Sequence, residues 1–206
     1  MTRLEGLYAI TPDSDDSEWL IEQVSNVLPH GVRLLQYRNK SGDTVRRLWQ
    51  ANLLASLCRS QDVAFIINDD IELALAVGAD GVHVGRTDAA VAEARARLGP
   101  GAIVGASCYN DLQLAENAVA AGASYIAFGA VFPSQTKPDA CAAPLTLFAA
   151  AKPLGVPSVA IGGITADNAS QVVTAGADML AVIGGLFDTA DPAASASALA
   201  GLYPAA

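Results

Sequence analysis

The amino-acid sequence predicts an α/β protein, a single (β/α)8 TIM barrel, and three observations carry the prediction. Apolar strand-like runs alternate with helix-like stretches eight times within 206 residues, the element order of a parallel sheet covered by helices. Val77-Gly78-Ala79-Asp80, Ala121-Gly122-Ala123-Ser124 and Ala175-Gly176-Ala177-Asp178 each close a helix on glycine, the usual terminator, and then open an apolar strand. The apolar runs also end in polar groups, most sharply at Phe65-Ile66-Ile67-Asn68-Asp69-Asp70, and in such barrels the chemistry gathers where strands end. The length is at the low end for this barrel and short for two cores, so residues 1–206 are expected to form one domain.

In order along the chain, Leu7-Tyr8-Ala9-Ile10 is the first strand, and the turn residues Thr11-Pro12-Asp13-Ser14 lead to a helix from about Ser17 to Leu28. The second strand, Val32 to Tyr37, ends in Arg38-Asn39-Lys40-Ser41-Gly42 ahead of a helix from about Asp43 to Cys58. Val63 to Ile67 and the helix Ile71 to Val77 form the third unit. Gly81 to Val84 and a helix from about Ala89 to Leu98 form the fourth, closed by Gly99-Pro100-Gly101. The fifth strand, Ala102 to Ser107, places Cys108, Tyr109 and Asn110 at the mouth, before a helix from Asp111 to Ala121.

Tyr125 to Phe128 is the sixth strand. The connection after it, Gly129 to Pro144, is long for a compact α/β domain, and loops of that length are more often functional than accidental. A helix around Leu145 to Lys152, the strand Ser158 to Ile161 with Gly162-Gly163, and a helix from about Asp167 to Ala175 follow. The strand Met179 to Ile183 with Gly184-Gly185 and a helix near Pro192 to Leu202 complete eight strands and eight helices.

A formal net charge of -9 with no block of Lys or Arg argues against nucleic acid and anionic membrane surfaces as partners, because both need a positive field. No apolar run reaches spanning length. The first residues run straight into a strand with no secretory signal, and Cys58, Cys108 and Cys141 lack a paired metal spacing. A cytoplasmic protein acting on small molecules is expected, with a homo-oligomer left open.

Closing the barrel makes neighbours of strand ends that are remote in sequence. Asp69 and Asp88 are the candidate ligands for a hard ion such as Mg²⁺, which takes one or two protein carboxylates and fills its shell with water and substrate oxygens. Against this, Asp70 and Asp88 can simply cap the helices that follow; that reading is preferred for Asp70 and the ligand reading for Asp69. Arg38, Lys40 and Lys137 are cations at strand ends in a cation-poor chain, and together they can hold a diphosphate. Gly162-Gly163 and Gly184-Gly185 follow strands seven and eight, where this barrel type often binds phosphate with backbone N–H groups; tight turning is the alternative use of glycine. His83 alternates with Val82 and Val84 and is expected to be a hydrogen-bonded core histidine, and His30 a loop residue. Neither Cys108 nor Tyr109 has an activating partner in the sequence.

These residues, in this order, resemble the thiamine phosphate synthase family over essentially the whole chain. The likeness is carried by Leu7-Tyr8-Ala9-Ile10-Thr11, Gln36-Tyr37-Arg38-Asn39-Lys40, Ile67-Asn68-Asp69-Asp70 and Gly81-Val82-His83-Val84-Gly85. It continues in Phe128-Gly129, Phe132-Pro133-Ser134-Gln135-Thr136-Lys137 and Ala160-Ile161-Gly162-Gly163-Ile164. The resemblance implies a transferase that joins 4-amino-2-methyl-5-pyrimidinylmethyl diphosphate to a thiazole phosphate and releases pyrophosphate. It implies that Gln36, Arg38, Lys40, Asn68, Ser107 and Lys137 handle the pyrimidine diphosphate, with Asp69 and Asp88 on Mg²⁺, and that Ser134, Thr136, Gly163, Ile183 and Gly184 handle the thiazole phosphate. Arg38, Lys40 and Lys137 are the implied catalytic cations.

The chain departs from the family pattern at Ala130 (usually proline), Ser134 (threonine), Thr87 (an acid), Gly184 (serine) and Tyr109 (histidine). The change at Gly184 removes a hydroxyl and keeps a backbone N–H, which implies altered binding of the thiazole phosphate. A related thiazole tautomerase uses the histidine that Tyr109 replaces and tends to lack the metal set, so it ranks second. A non-catalytic binder of thiamine phosphate is the third reading, disfavoured by the retained Asp69, Asp88, Arg38, Lys40 and Lys137. Sugar-phosphate epimerases and aldolases would need a base or a Schiff-base lysine inside the barrel, and no predicted strand contains lysine.

Overall fold

A computed structural model describes residues 4–85, 87–133 and 142–204. The strands are β1 (Gly6–Ile10), β2 (Val32–Tyr37), β3 (Ala64–Asn68), β4 (Gly81–Val84), β5 (Ile103–Tyr109), β6 (Tyr125–Gly129), β7 (Ser158–Ile161) and β8 (Met179–Val182). They close in sequence order into a parallel barrel, with β8 pairing back onto β1. The helices are α1 (Ser17–Val27), α2 (Thr44–Ser60), α3 (Ile71–Val77), α4 (Asp88–Leu98), α5 (Leu112–Ala120), α6 (Thr146–Ala151), α7 (Ala169–Thr174), α8 (Gly184–Phe187) and α9 (Pro192–Ala200).

The predicted barrel and its strand order are therefore found, with differences at the edges. Among the described residues there are nine α-helices, not eight, because α8 is a single turn directly after β8. β3 starts and ends one residue later than expected, and β5 continues to Tyr109. Cys108 consequently points outward and is buried against the helices instead of sitting at the mouth. His30 belongs to a 3₁₀ turn, Leu28–His30, and its Nδ1 lies 3.0 Å from Ser197 Oγ. No helix among the described residues is long and apolar enough to cross a membrane.

Five helices are started by aspartate. Asp16, Asp43, Asp70, Asp111 and Asp191 each accept a hydrogen bond from a backbone N–H in the first turn, which satisfies donors that the helix itself leaves unpaired and is worth about 1 kcal/mol per cap. Much of the acid surplus is thus structural. The repeated helix-to-strand turn has a physical cause as well. Its last residue reaches back to the entry of the preceding strand: Asp80 Oδ2 accepts from Phe65 N at 2.8 Å, Ser124 Oγ from Val104 N at 3.1 Å, and Asp178 Oδ2 from Ser158 N at 2.8 Å.

Strand alternation divides the apolar residues into two cores. Leu7, Ala9, Leu35, Tyr37, Phe65, Ile67, Val82 and Val84 face the helix layer. Tyr8, Ile10, Leu34, Ile66, Tyr125, Val159 and Met179 fill the barrel. The same parity turns Gln36, Asn68, His83 and Ser107 inward, which is how residues from four strands come to share the barrel's upper interior.

Candidate active site

β2 delivers Gln36 inward, 2% exposed, with Nε2 donating to Tyr8 Oη. Two residues on, Arg38 is held from β1's side: its Nη1 lies 2.5 Å from Asp13 Oδ2, and its backbone N donates to the buried Thr11 Oγ1 at 2.9 Å. Asp13 also accepts from Lys40 N at 2.9 Å. The turn after β1, legible in the sequence only as turn chemistry, is thus the clamp that shapes the cationic loop after β2.

At the end of β3, three consecutive polar residues separate into three roles. Asn68 donates from Nδ2 to Asp69 Oδ2 at 2.7 Å. Asp69 is exposed with a left-handed φ of 59°, a conformation that Asn and Asp tolerate best among side-chain-bearing residues. Its backbone N donates to His83 O at 2.8 Å, which fixes the turn against β4. Asp70 does cap α3, accepting from Leu73 N at 2.9 Å, and its other oxygen meets Arg47 Nη2 at 2.6 Å. The alternative use of Asp88 as a cap is corrected: Thr87 Oγ1 accepts from Ala90 N at 3.3 Å and caps α4, because Asp88 is already the first helical residue. The side chain of Asp88 lies outside the described residues.

A cavity of about 610 Å³ opens beside these strand ends. It brings together Lys40, Asn68, Asp69 and Asp70, with Arg47 and Arg97 among the other residues that line it. Gln36, Arg38, Ser107, Gly163, Ile183 and Gly184 are placed elsewhere at the carboxyl ends and do not line it. Ser134, Thr136 and Lys137 lie outside the described residues. Arg47 was not singled out by sequence reasoning, since it lies within a helix; its spacing from the cap of α2 carries no signal of an inward role.

On the opposite side, Gly162 and Gly163 take positive φ values of 103° and 62°. A Cβ on Gly162 would lie 2.5 Å from Ala130 Cβ, and one on Gly163 would lie 2.3 Å from Pro133 O, so both glycines let the loop after β6 lie against β7. Two backbone bonds hold it there, Val131 N to Ile161 O at 3.0 Å and Phe132 N to Gly162 O at 3.1 Å. Ile183 and Gly184 start α8, and a Cβ on Gly185 would lie 2.0 Å from Ile164 O. The loops after β7 and β8 are therefore in contact, as the sequence position of the two glycine pairs requires.

His83 is the hydrogen-bonded interior residue expected, with Nδ1 2.9 Å from Tyr125 Oη and Nε2 2.8 Å from Ser107 Oγ. Both ring nitrogens are occupied. Burial pushes the Tyr8 and Tyr125 phenols up from the usual tyrosine range, so each keeps its proton. Two hydrogen-bonded phenols inside the barrel were missed by the sequence reading, because tyrosine in an apolar run reads as core.

No group of three or more histidines, cysteines and acids among the described residues is arranged to hold a metal ion. The residues present still suit Mg²⁺. This ion asks for hard oxygen donors and only one or two carboxylates, and Asp69 offers an exposed carboxylate on the cavity wall.

Fold and site first define a class: a (β/α)8 barrel with polar side chains gathered at the carboxyl ends of β2 to β5 and a short extra helix after β8. Within that class, the sequence model of the thiamine monophosphate synthase family matches residues 7–186, and the chain belongs to that family. It is 60% identical over 203 residues to the thiamine-phosphate synthase of Chromobacterium violaceum, covering 98% of both chains. The thiamine-phosphate synthase of Aromatoleum aromaticum is 55% identical over 205 residues, covering 99% of both. Among solved structures, the thiamine phosphate pyrophosphorylase of Pyrococcus furiosus matches with a TM-score of 0.86 at 33% identity, over 98% of this chain and 96% of that one. A 3-hexulose-6-phosphate synthase, at a TM-score of 0.70 and 20% identity over 96% and 99%, shares the fold alone.

Proposed function

We propose that residues 1–206 form one catalytic barrel, a thiamine phosphate synthase that joins 4-amino-2-methyl-5-pyrimidinylmethyl diphosphate to thiazole phosphate and releases pyrophosphate. The observation that carries this reading is the whole-length likeness to thiamine-phosphate synthases, such as one 60% identical over 203 residues. The geometry supports it by joining Lys40, Asn68 and Asp69 in one cavity at the barrel mouth.

The reaction asks for leaving-group stabilisation more than for a base. The attacking thiazole nitrogen carries no proton, and the pyrimidinylmethyl carbon can bear positive charge as diphosphate departs. His83 fits that demand in the negative, since Tyr125 and Ser107 engage both its nitrogens. Arg38, Lys40 and Lys137 hold the diphosphate and stabilise its growing charge. Asp13 fixes the first of these cations and the loop that carries the second. Asp69 and Asp88 would hold Mg²⁺, which when bound neutralises diphosphate oxygens. Gln36, Asn68 and Ser107 orient the pyrimidine, while Gly163, Ile183 and Gly184, at the touching loops after β7 and β8, take the thiazole phosphate together with Ser134 and Thr136.

The test is formation of thiamine phosphate and pyrophosphate from the two purified precursors, with Mg²⁺ and with a chelator. Mg²⁺-dependent appearance of both products is expected. Binding of thiazole phosphate or thiamine phosphate without either product would overturn the synthase reading in favour of a tautomerase-like or purely binding role.

A further inference from the structure

Five side chains from five strands form one continuous hydrogen-bonded chain through the barrel interior. It runs from Gln36 on β2 to Tyr8 on β1, then 2.8 Å to Tyr125 on β6, 2.9 Å to His83 on β4 and 2.8 Å to Ser107 on β5. The rings that carry it are packed against each other. Tyr8 and Tyr125 meet edge to face with centroids 5.9 Å apart, and His83 stacks on Tyr125 at 5.7 Å. β5 lies between the two strands that carry those stacked rings, and its Gly105 is in register with both His83 and Tyr125. A Cβ on Gly105 would lie 2.0 Å from Tyr125 Cζ, so the missing side chain is what lets the ring reach across. Phenylalanine at positions 8 and 125 would fill the same space without two hydroxyls to satisfy in an apolar core. The hydroxyls therefore need a reason beyond packing.

We propose that Tyr8, Tyr125 and His83 are positioning residues, a one-way relay that presents the carbonyl of Gln36 as an acceptor and the hydroxyl proton of Ser107 as a donor to the pyrimidine diphosphate. The role of the two ends rests on the synthase reading; the direction of the relay does not. Each link leaves a single choice. Gln36 Nε2 only donates, so the one proton of Tyr8 goes to Tyr125. The proton of Tyr125 then goes to His83 Nδ1, which must be bare. His83 accordingly carries its proton on Nε2 and donates it to Ser107 Oγ, leaving the serine's own proton outside the relay. Burial holds both phenols in the protonated form throughout. Turning the Gln36 amide over reverses every link: His83 would carry its proton on Nδ1, and Ser107 would be tied up as a donor to Nε2.

The tautomer of His83 decides between the two directions, and it can be read in the free protein by nitrogen-15 NMR. The chain has two histidines, so a His30→Gln variant leaves one imidazole to observe. Protonated Nε2 with bare Nδ1 is expected; a proton on Nδ1, alone or in addition, overturns the relay whatever the enzyme's activity. Tyr125→Phe removes the central link. It should turn the single tautomer into a mixture and raise KM for the pyrimidine diphosphate roughly three- to tenfold, the worth of one net hydrogen bond, with KM for the thiazole phosphate unchanged. Tyr8→Phe opens the relay at its other end and should raise the same KM if Tyr125→Phe does not fold. An unchanged tautomer and unchanged KM in the variant that folds would sink the proposal. Absence of turnover in the parent, with the tautomer as expected, would instead count against the synthase reading alone.

Discussion

The clearest division of labour between single residues is at Asp69 and Asp70. They are chemically alike and adjacent, yet the backbone assigns them opposite duties. Asp70 has an extended backbone and turns its carboxylate onto the first turn of α3, with Arg47 on its other oxygen. Asp69 has a left-handed backbone, is exposed, and lines the cavity. Asp70→Ala should therefore lower stability by about 1–2 kcal/mol, through the lost cap and the lost ion pair, as measured by urea unfolding. Asp69→Asn should behave in the opposite way: asparagine tolerates the left-handed conformation and can still meet Asn68, so unfolding is unchanged while turnover with Mg²⁺ is lost. Full turnover in Asp69→Asn would remove that carboxylate from the metal site.

Among elements, the three repeated turns explain why this barrel closes with so little loop. Asp80, Ser124 and Asp178 tie the entries of β3, β5 and β7 to the turns that start β4, β6 and β8. Asp178 also accepts from Ser158 Oγ at 2.9 Å and pairs with Lys152 Nζ at 2.7 Å. Asp178→Ala should cost about 1–3 kcal/mol by leaving the buried entry of β7 without an acceptor, read as a lower urea midpoint with an unchanged slope. The repeat was visible in the sequence as a pattern, and beside eight alternating units it favoured a barrel over an open sheet. Its hydrogen bonds were not, because a helix-closing glycine explains only half of it. The same boundary runs through the site. Gln36, Asn68, Asp69 and Ser107 were legible as polar residues interrupting or ending apolar strands. Tyr8 and Tyr125 were hidden because an aromatic in such a run reads as core whether or not its hydroxyl is engaged. Thr87 was hidden because the aspartate beside it is the stronger capping residue on propensity, and only the helix register decides between them.

At the scale of the whole molecule, titration couples to the fold from the alkaline side. Burial, helped by the nearby Asp80 carboxylate, pushes the Cys58 thiol up to about 12 from 9.0. Burial likewise lifts Tyr37, whose hydroxyl donates to Gln50 Oε1 at 2.7 Å, up to about 12, and raises Tyr8, Tyr125 and Tyr203. In each case the folded chain keeps a proton that the unfolded chain gives up at lower pH, so the unfolded state binds fewer protons and stability falls as pH rises. For Cys58 the contribution is fully present below about pH 9 and is lost progressively as pH climbs toward 12. Each such group steepens the decline by at most ~1.4 kcal/mol per pH unit within its window. The urea midpoint should therefore be flat below about pH 9 as far as these groups are concerned and drop above it. Cys58→Ala separates the titration from the packing. Its small cavity lowers stability by a constant amount at every pH, whereas removal of the thiol flattens the alkaline slope. An alkaline slope identical to the parent's would mean that Cys58 ionises as readily in the folded barrel as in the open chain.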